Sequence, residues 1–112
     1  MKKIEAVIRP SRMDAVRIAL GELGVSGMSV YDVRGSGRHG GHREWYLGHE
    51  DVIDLPMKMK LEIVARDEDA DAIVEAIMQH ARTGQEGDGK IFVLPMEEAV
   101  RVRTHERGDD VL

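Results

Sequence analysis

The residues best suited to chemistry stand in Thr83-Gly84-Gln85-Glu86-Gly87-Asp88-Gly89-Lys90. Glycines let backbone amides approach a phosphate closely, and a lysine adds a point charge. The stretch is not a Walker loop, because its spacing differs and a strand pattern follows where a helix should. Taken by itself it also suits an ordinary helix-to-strand turn, where Gly and Asp are common. The second candidate is the pair Arg101 and Arg103. Two apart on a strand they share a face, with Val100 and Val102 directed to the core. Arginine forks match phosphate oxygens, although alone such a pair reads better as a solvated strand face. Lys90, the glycines and the two arginines together make a compact anion site.

The third candidate is the stretch from Gly35 to Asp54, which shows neither helical nor strand periodicity and holds five of the twelve glycines. Twenty residues without secondary structure are uncommon in a compact domain and are usually functional or disordered. Trp45 and Tyr46, two of the four aromatics, stand there among polar neighbours, which suits a surface for a protein partner. The same stretch carries His39, His42 and His49 with Glu44, Glu50, Asp51 and Asp54. Their spacing matches no zinc pattern, so no metal site is expected.

Other chemistry is excluded or unsupported. The chain has no cysteine, which removes disulfides, thiolate metal sites and cysteine nucleophiles. No Ser, His and Asp stand in a triad-like order, and there is no HExxH, so no catalytic residues are expected. A net charge of −5 argues against a nucleic-acid-coating protein. No apolar run reaches the roughly 18–20 residues that span a bilayer. The start, Met1-Lys2-Lys3-Ile4-Glu5, has charges but no apolar signal core, so a cytoplasmic location is expected.

The elements that must position these groups follow from periodicity. Lys3 to Arg9 alternates as a half-buried strand. A helix follows Pro10, with Ser11 as N-cap and Met13, Val16, Ala19, Leu20 and Leu23 as its buried stripe; Gly24 ends it. A second strand runs from about Met28 to Arg34, with a change of phase between Val30 and Tyr31 that suggests a bulge or cover on both faces. In a third, Met57, Met59, Leu61 and Ile63 point one way, and Lys58, Lys60 and Glu62 the other. A second helix opens on Asp67, Glu68 and Asp69, acids that suit the positive end of its dipole. Its stripe is Ala70, Ile73, Val74, Ile77, Met78 and Ala81, and Gly84 stops it. Lys90 to Leu94 is a strand, Val100 to Arg103 a short final one, and Thr104 to Leu112 a polar, mobile tail. One domain, residues 1–112, is expected from this length. The order βαββαβ is the α+β, ferredoxin-like arrangement, one sheet with helices on one face.

On the residues Thr83 to Val93, Arg101-Val102-Arg103-Thr104, Met1 to Ala6, Gly27-Met28-Ser29-Val30 and Gly37-Arg38, the chain resembles the PII family of signal-transduction proteins. The resemblance runs from Met1 to about Arg107. In its terms residues 82–90 are the B-loop, 37–55 the T-loop, and 101–112 the C-terminal loop and tail. It implies a homotrimer with adenine-nucleotide sites between subunits, occupied by ATP or ADP, or by AMP in a variant form. Gly37, Arg38, Gly87, Asp88, Gly89 and Lys90 would come from one subunit, and Arg101 and Arg103 from its neighbour. Gly27, Ser29, Glu62 and Val64 match positions that hold adenine and ribose. The resemblance also implies a protein that regulates a nitrogen-metabolism enzyme or an ammonium transporter through the T-loop, and does no catalysis. His42, Trp45, Tyr46, Leu47, His49 and Asp51 would face that partner.

The departures are specific. Asp51 stands where many bacterial members carry a uridylylated tyrosine, so that modification cannot occur there. His49 replaces a serine phosphorylated in some relatives. Leu47 replaces an arginine found in members that plug ammonium transporters. His39 replaces a glutamine that holds Mg²⁺ and 2-oxoglutarate, whereas Lys58 and Gly41, at effector positions, are retained. These changes motivate an alternative, a PII-like sensor of ADP or AMP with another small anion such as bicarbonate. A slow ATPase is a weaker reading, because no residue stands out to position a water.

Overall fold

The computed structural model describes residues 1–37, 42–46, 49–53 and 55–112, with the backbone course alone for the two middle stretches. Its strands are β1 (Lys2–Ile8), β2 (Ser29–Arg34), β3 (His42–Tyr46), β4 (His49–Ile53), β5 (Met57–Ala65) and β6 (Gly89–Pro95). The helices are α1 (Met13–Glu22) and α2 (Asp67–Ala81), and short 3-10 turns stand at Pro10–Arg12 and Gly108–Val111.

Four strands form one antiparallel sheet in the order β2-β5-β1-β6, which is the expected ferredoxin-like α+β fold. Ile4 lies opposite Ile63 on β5 and Val93 on β6. Because side chains alternate between faces, that register puts Ile4, Ala6, Ile8, Leu61, Ile63 and Ala65 on one face. Val16 and Leu20 of α1, and Ile73 and Ile77 of α2, cover it, and all ten are buried. Each fully buried Ile or Leu contributes about 1.5–3 kcal/mol. Arg12 ties the helices together by donating to the His80 carbonyl at 2.8 Å.

The opposite face carries charge. Lys3 Nζ lies 3.0 Å from Glu5 and 3.5 Å from Glu62, and Lys60 Nζ lies 3.7 Å and 3.4 Å from the same two carboxylates. Tyr31 donates to Glu62 at 3.2 Å. Phe92 and Leu94, exposed on the edge strand β6, share this face.

Several local expectations give way. Ser11 is no cap, because Pro10 opens a 3-10 turn and no side chain caps α1. Leu23, Met57 and Met78 lie at the margins of their apolar stripes and are exposed. The phase change in β2 is not a bulge, since every residue from Ser29 to Arg34 has a partner on β5. It marks an edge strand exposed along most of both faces. The stretch from Gly35 to Asp54 is not free of secondary structure, because β3 and β4 pair as a hairpin. Backbone pairing needs no apolar face, so hydrophobic period missed it. Val100 to Arg103 is not a strand. Val100 bridges only to Arg107, residues 102–104 turn, and Val102 is 91% exposed. The alternation of Val and Arg imitates a strand that has no ladder to join. The tail folds back: Gly108 donates to the Ala99 carbonyl at 2.9 Å, and Gly108–Val111 is a turn.

Candidate functional site

The loop between α2 and β6 is built around one carboxylate. Asp88 Oδ2 accepts from the backbone amides of Thr83 and Gly84, both at 2.9 Å. Its Oδ1 accepts from Arg9 Nε at 2.9 Å and from the Thr83 hydroxyl at 2.5 Å. Arg9 also donates to the Glu86 carbonyl. Partial burial pushes the Asp88 carboxyl up, but the hydrogen bonds from Thr83 and Arg9 outweigh it and hold the group well below the usual carboxylate range. Lys58, on β5 two strands across from β6, donates to the Gly87 carbonyl at 2.7 Å. Burial and the nearby Arg9 charge lower its pKa, with Asp88 opposing them.

Two glycines here answer to geometry. Gly89 has φ +100°, and an added Cβ would sit 1.7 Å from the Val7 carbonyl oxygen of β1. Gly87 has φ +93°, and a Cβ would approach Arg9 Nη2 at 3.3 Å and Lys58 Nζ at 3.5 Å. Left-handed backbone of this kind suits glycine. Gly37 lies beyond the end of β2, two residues after Gly35, whose amide donates to Pro56 at 3.1 Å.

A second cluster lies elsewhere. Gly27, Ser29, Glu62 and Val64 all line one cleft of about 730 Å³ between the start of β2, the end of β5 and α2. Such a volume is ordinary for a small-molecule site. Val111 and Leu112 complete its wall. Partial burial raises the Glu62 carboxyl, but Lys3, Tyr31 and Lys60 together bring it below the usual range. Arg101 adjoins the cleft: Nη1 lies 2.7 Å from Glu106, and Nη2 donates to the Val111 carbonyl at 3.4 Å. A hydrogen bond from Thr104, followed by the Arg101 charge, lowers the Glu106 carboxyl.

The cationic candidates therefore differ in kind. Arg9, Lys58 and Arg101 are committed to protein acceptors, whereas Lys90 and Arg103 have no hydrogen-bond or ion-pair partner among the described residues. Two exposed, uncompensated cations are what a polyanion requires.

The two clusters stand apart in one chain. Val64 is level with Lys3 and Leu94, while Lys90 is level with Val7 and Lys60. Four residues of strand separate those levels, about 13 Å at roughly 3.3 Å per residue. Lys90 is in addition two strands across from β5.

Arg38, His39, Gly41 and Leu47 lie outside the described residues, as do the side chains of His42, Trp45, Tyr46, His49 and Asp51. Arg9 was not singled out from sequence, and Thr83 only as the start of the glycine-rich stretch, with no role of its own. Arg9 lies 79 residues from Asp88, and no local pattern joins them. Among the described residues no group of three or more His, Cys, Asp or Glu could hold a metal, and no helix is long and apolar enough to cross a membrane.

The family model described as "Nitrogen regulatory protein P-II" matches residues 1–106. Proteins of that name from Pasteurella multocida, Haemophilus influenzae and Azospirillum brasilense are each 50% identical over 112 residues, covering all of both chains. Coverage of this extent at half identity, on the expected fold, establishes that the chain belongs to the P-II family of nitrogen regulatory proteins.

Proposed function

We propose that the chain is a homotrimeric adenine-nucleotide sensor, a single domain over residues 1–112, which regulates a nitrogen-metabolism protein through its T-loop at about 37–55. The observation that carries the reading is the separation of the two clusters within one chain. A cleft with Gly27, Ser29, Glu62 and Val64 suits an adenosine, while the loop of Gly87, Gly89 and Lys90 suits phosphates. A neighbouring copy joins the two halves, with Arg101 and Arg103 beside the adenosine half and Gly37 and Arg38 beside the phosphate half. The exposed Phe92 and Leu94 on the helix-free face support association between copies.

Asp88 acts within this site as the organiser of the loop, because all four of its bonds are to protein donors. The protein works by binding rather than catalysis, in the cytoplasm, with ATP and ADP as its ligands. Calorimetric titration with ATP, beside light scattering, tests the reading. Lys90→Ala and Arg103→Ala should each weaken ATP binding by about 1.5–3 kcal/mol, the range for a hydrogen bond to a charged group. Unchanged ATP affinity in both variants, or nucleotide bound by a monomer, would sink it.

A further inference from the structure

We propose that Glu106 sets the affinity of the phosphate site from within: it is an internal anion paired with Arg101, and a ligand's phosphate must displace it before that arginine can bind the ligand. The proposal rests on the nucleotide reading above and adds to it a residue that opposes binding. Three observations carry it. Two arginines that stand two apart in sequence meet different fates. Arg103 has no hydrogen-bond or ion-pair partner among the described residues, whereas Arg101 Nη1 lies 2.7 Å from Glu106 Oε1. The backbone keeps that acid beside its arginine, because the Arg101 amide donates to the Glu106 carbonyl at 2.9 Å and the His105 amide to the Arg101 carbonyl at 2.8 Å.

The pair is also built to open. The Arg101 side chain is 40% exposed and that of Glu106 44%, and exposed ion pairs contribute little. One guanidinium nitrogen meets one carboxylate oxygen, and the other terminal nitrogen has only the long bond to the Val111 carbonyl at 3.4 Å. A phosphate can take two nitrogens of the same fork at once, which is the stronger arrangement.

Finally, the displaced carboxylate keeps a donor. The Thr104 hydroxyl donates to the same Oε1 at 2.6 Å, so Glu106 stays hydrogen-bonded in the turn once Arg101 swings away. That bond and the Arg101 charge hold the Glu106 carboxyl below the usual range, so it is ionised at neutral pH and competes as an anion. Arg103 thus attracts a phosphate unconditionally, and Arg101 joins only a ligand charged strongly enough to displace Glu106.

Calorimetric titration with ATP tests this on the full chain in four forms: the parent, Glu106→Gln, Arg101→Ala and the two changes combined. Glutamine keeps the shape and an acceptor for Thr104 but removes the charge. Circular dichroism melts and light scattering establish that each variant folds and keeps the parent's oligomeric state. Glu106→Gln should bind ATP about fivefold more tightly, the upper range for an exposed ion pair. With Arg101 already alanine, the same change should alter affinity less than about twofold, since the two residues act as one coupled pair. Weaker ATP binding by Glu106→Gln would overturn the proposal, because Glu106 would then be orienting Arg101 toward the ligand. Unchanged affinity would overturn it too, and so would an equal gain in the Arg101→Ala background, which needs no more than the loss of a negative charge. ATP failing to bind the unmodified chain would refute the nucleotide reading itself, an outcome distinct from the others.

Discussion

Asp88→Asn puts the organisation of the phosphate loop to a direct test. The two oxygens of Asp88 accept four hydrogen bonds, two on each. Asparagine keeps the shape but offers one oxygen, so in either orientation its NH₂ faces donors. With the oxygen toward Arg9 and the Thr83 hydroxyl, the amides of Thr83 and Gly84 lose their acceptor. With the amide flipped, Arg9 Nε loses its acceptor and Arg9 keeps only the Glu86 carbonyl. Each lost bond to a charged group is worth about 1.5–3 kcal/mol when well shielded. The Asp88 side chain is 24% exposed, so water recovers part of that, and a net loss of about 2 kcal/mol is expected.

The pH dependence gives a second reading of the same variant. The folded Asp88 pKa is depressed below its ordinary 3.8, so its contribution is present above that value and is lost as pH falls toward the folded pKa. Other carboxylates, among them Glu62, Asp67 and Glu106, are also depressed. Subtracting the variant from the parent isolates Asp88 from them. The stability gap should be flat from pH 8 to 5 and narrow by about 1 kcal/mol at pH 3, as linkage requires for a group of ordinary pKa near 3.8 in the unfolded chain. Urea unfolding at one fixed protein concentration measures it, since an oligomer's stability depends on concentration. A gap under about 0.5 kcal/mol, the level of ordinary surface substitutions, would refute the reasoning. So would a gap that is the same at pH 3 as at pH 7.

Four further substitutions follow from the geometry and the resemblance. Gly89→Ala should cost about 3 kcal/mol or more, from overpacking against Val7 together with a left-handed backbone; Gly27→Ala, with no atom within 4 Å of its added Cβ, should melt within about 2 °C of the parent, and equal melting of the two variants would contradict this. His105 has φ 66°, so His105→Gly should relieve about 1 kcal/mol of strain, less some unfolded-state entropy; a thermal melt should rise by about 2–3 °C, and a fall would be contrary evidence. For the effector, His39→Gln should strengthen 2-oxoglutarate binding in the presence of Mg-ATP, because an amide oxygen suits a hard ion better than imidazole does; micromolar 2-oxoglutarate binding by the unmodified chain in calorimetry would overturn that.

The core elements were legible wherever one face is buried. The stripe from Val16 to Leu20 and the alternation from Met59 to Ile63 could be read because burial imposes a period of about 3.6 or 2 on apolar residues. Legibility failed where that constraint is weak. β2 is an edge strand, exposed on most of both faces, so its apolar residues need not alternate. β3 and β4 pair through their backbones in a two-stranded sheet, and their sequence carries no period to find. Arg101-Val102-Arg103 alternates in sequence, yet the backbone of Arg101 is taken by a turn: its amide donates to the Glu106 carbonyl at 2.9 Å, and its carbonyl accepts from His105 at 2.8 Å.

The candidate site was legible by residue type but not by role. In sequence, Lys58, Lys90, Arg101 and Arg103 are equivalent positive charges, and Arg9 attracts no notice. Folding separates them by their partners. Arg9 must hold Asp88 and Glu86 for the loop to exist, and Lys58 must hold Gly87. Arg101 is divided between Glu106 and Val111. A ligand phosphate meeting any of these three has to compete with an acceptor already in place, and the gain is the difference between two charge-assisted bonds. Lys90 and Arg103 impose no such competition, so the whole of their attraction is available to an anion. That asymmetry is why Lys90→Ala and Arg103→Ala should lower affinity, whereas Arg9→Ala should act first on the loop and its stability. The distinction depends on contacts as distant as 79 residues along the chain, and no local pattern encodes it.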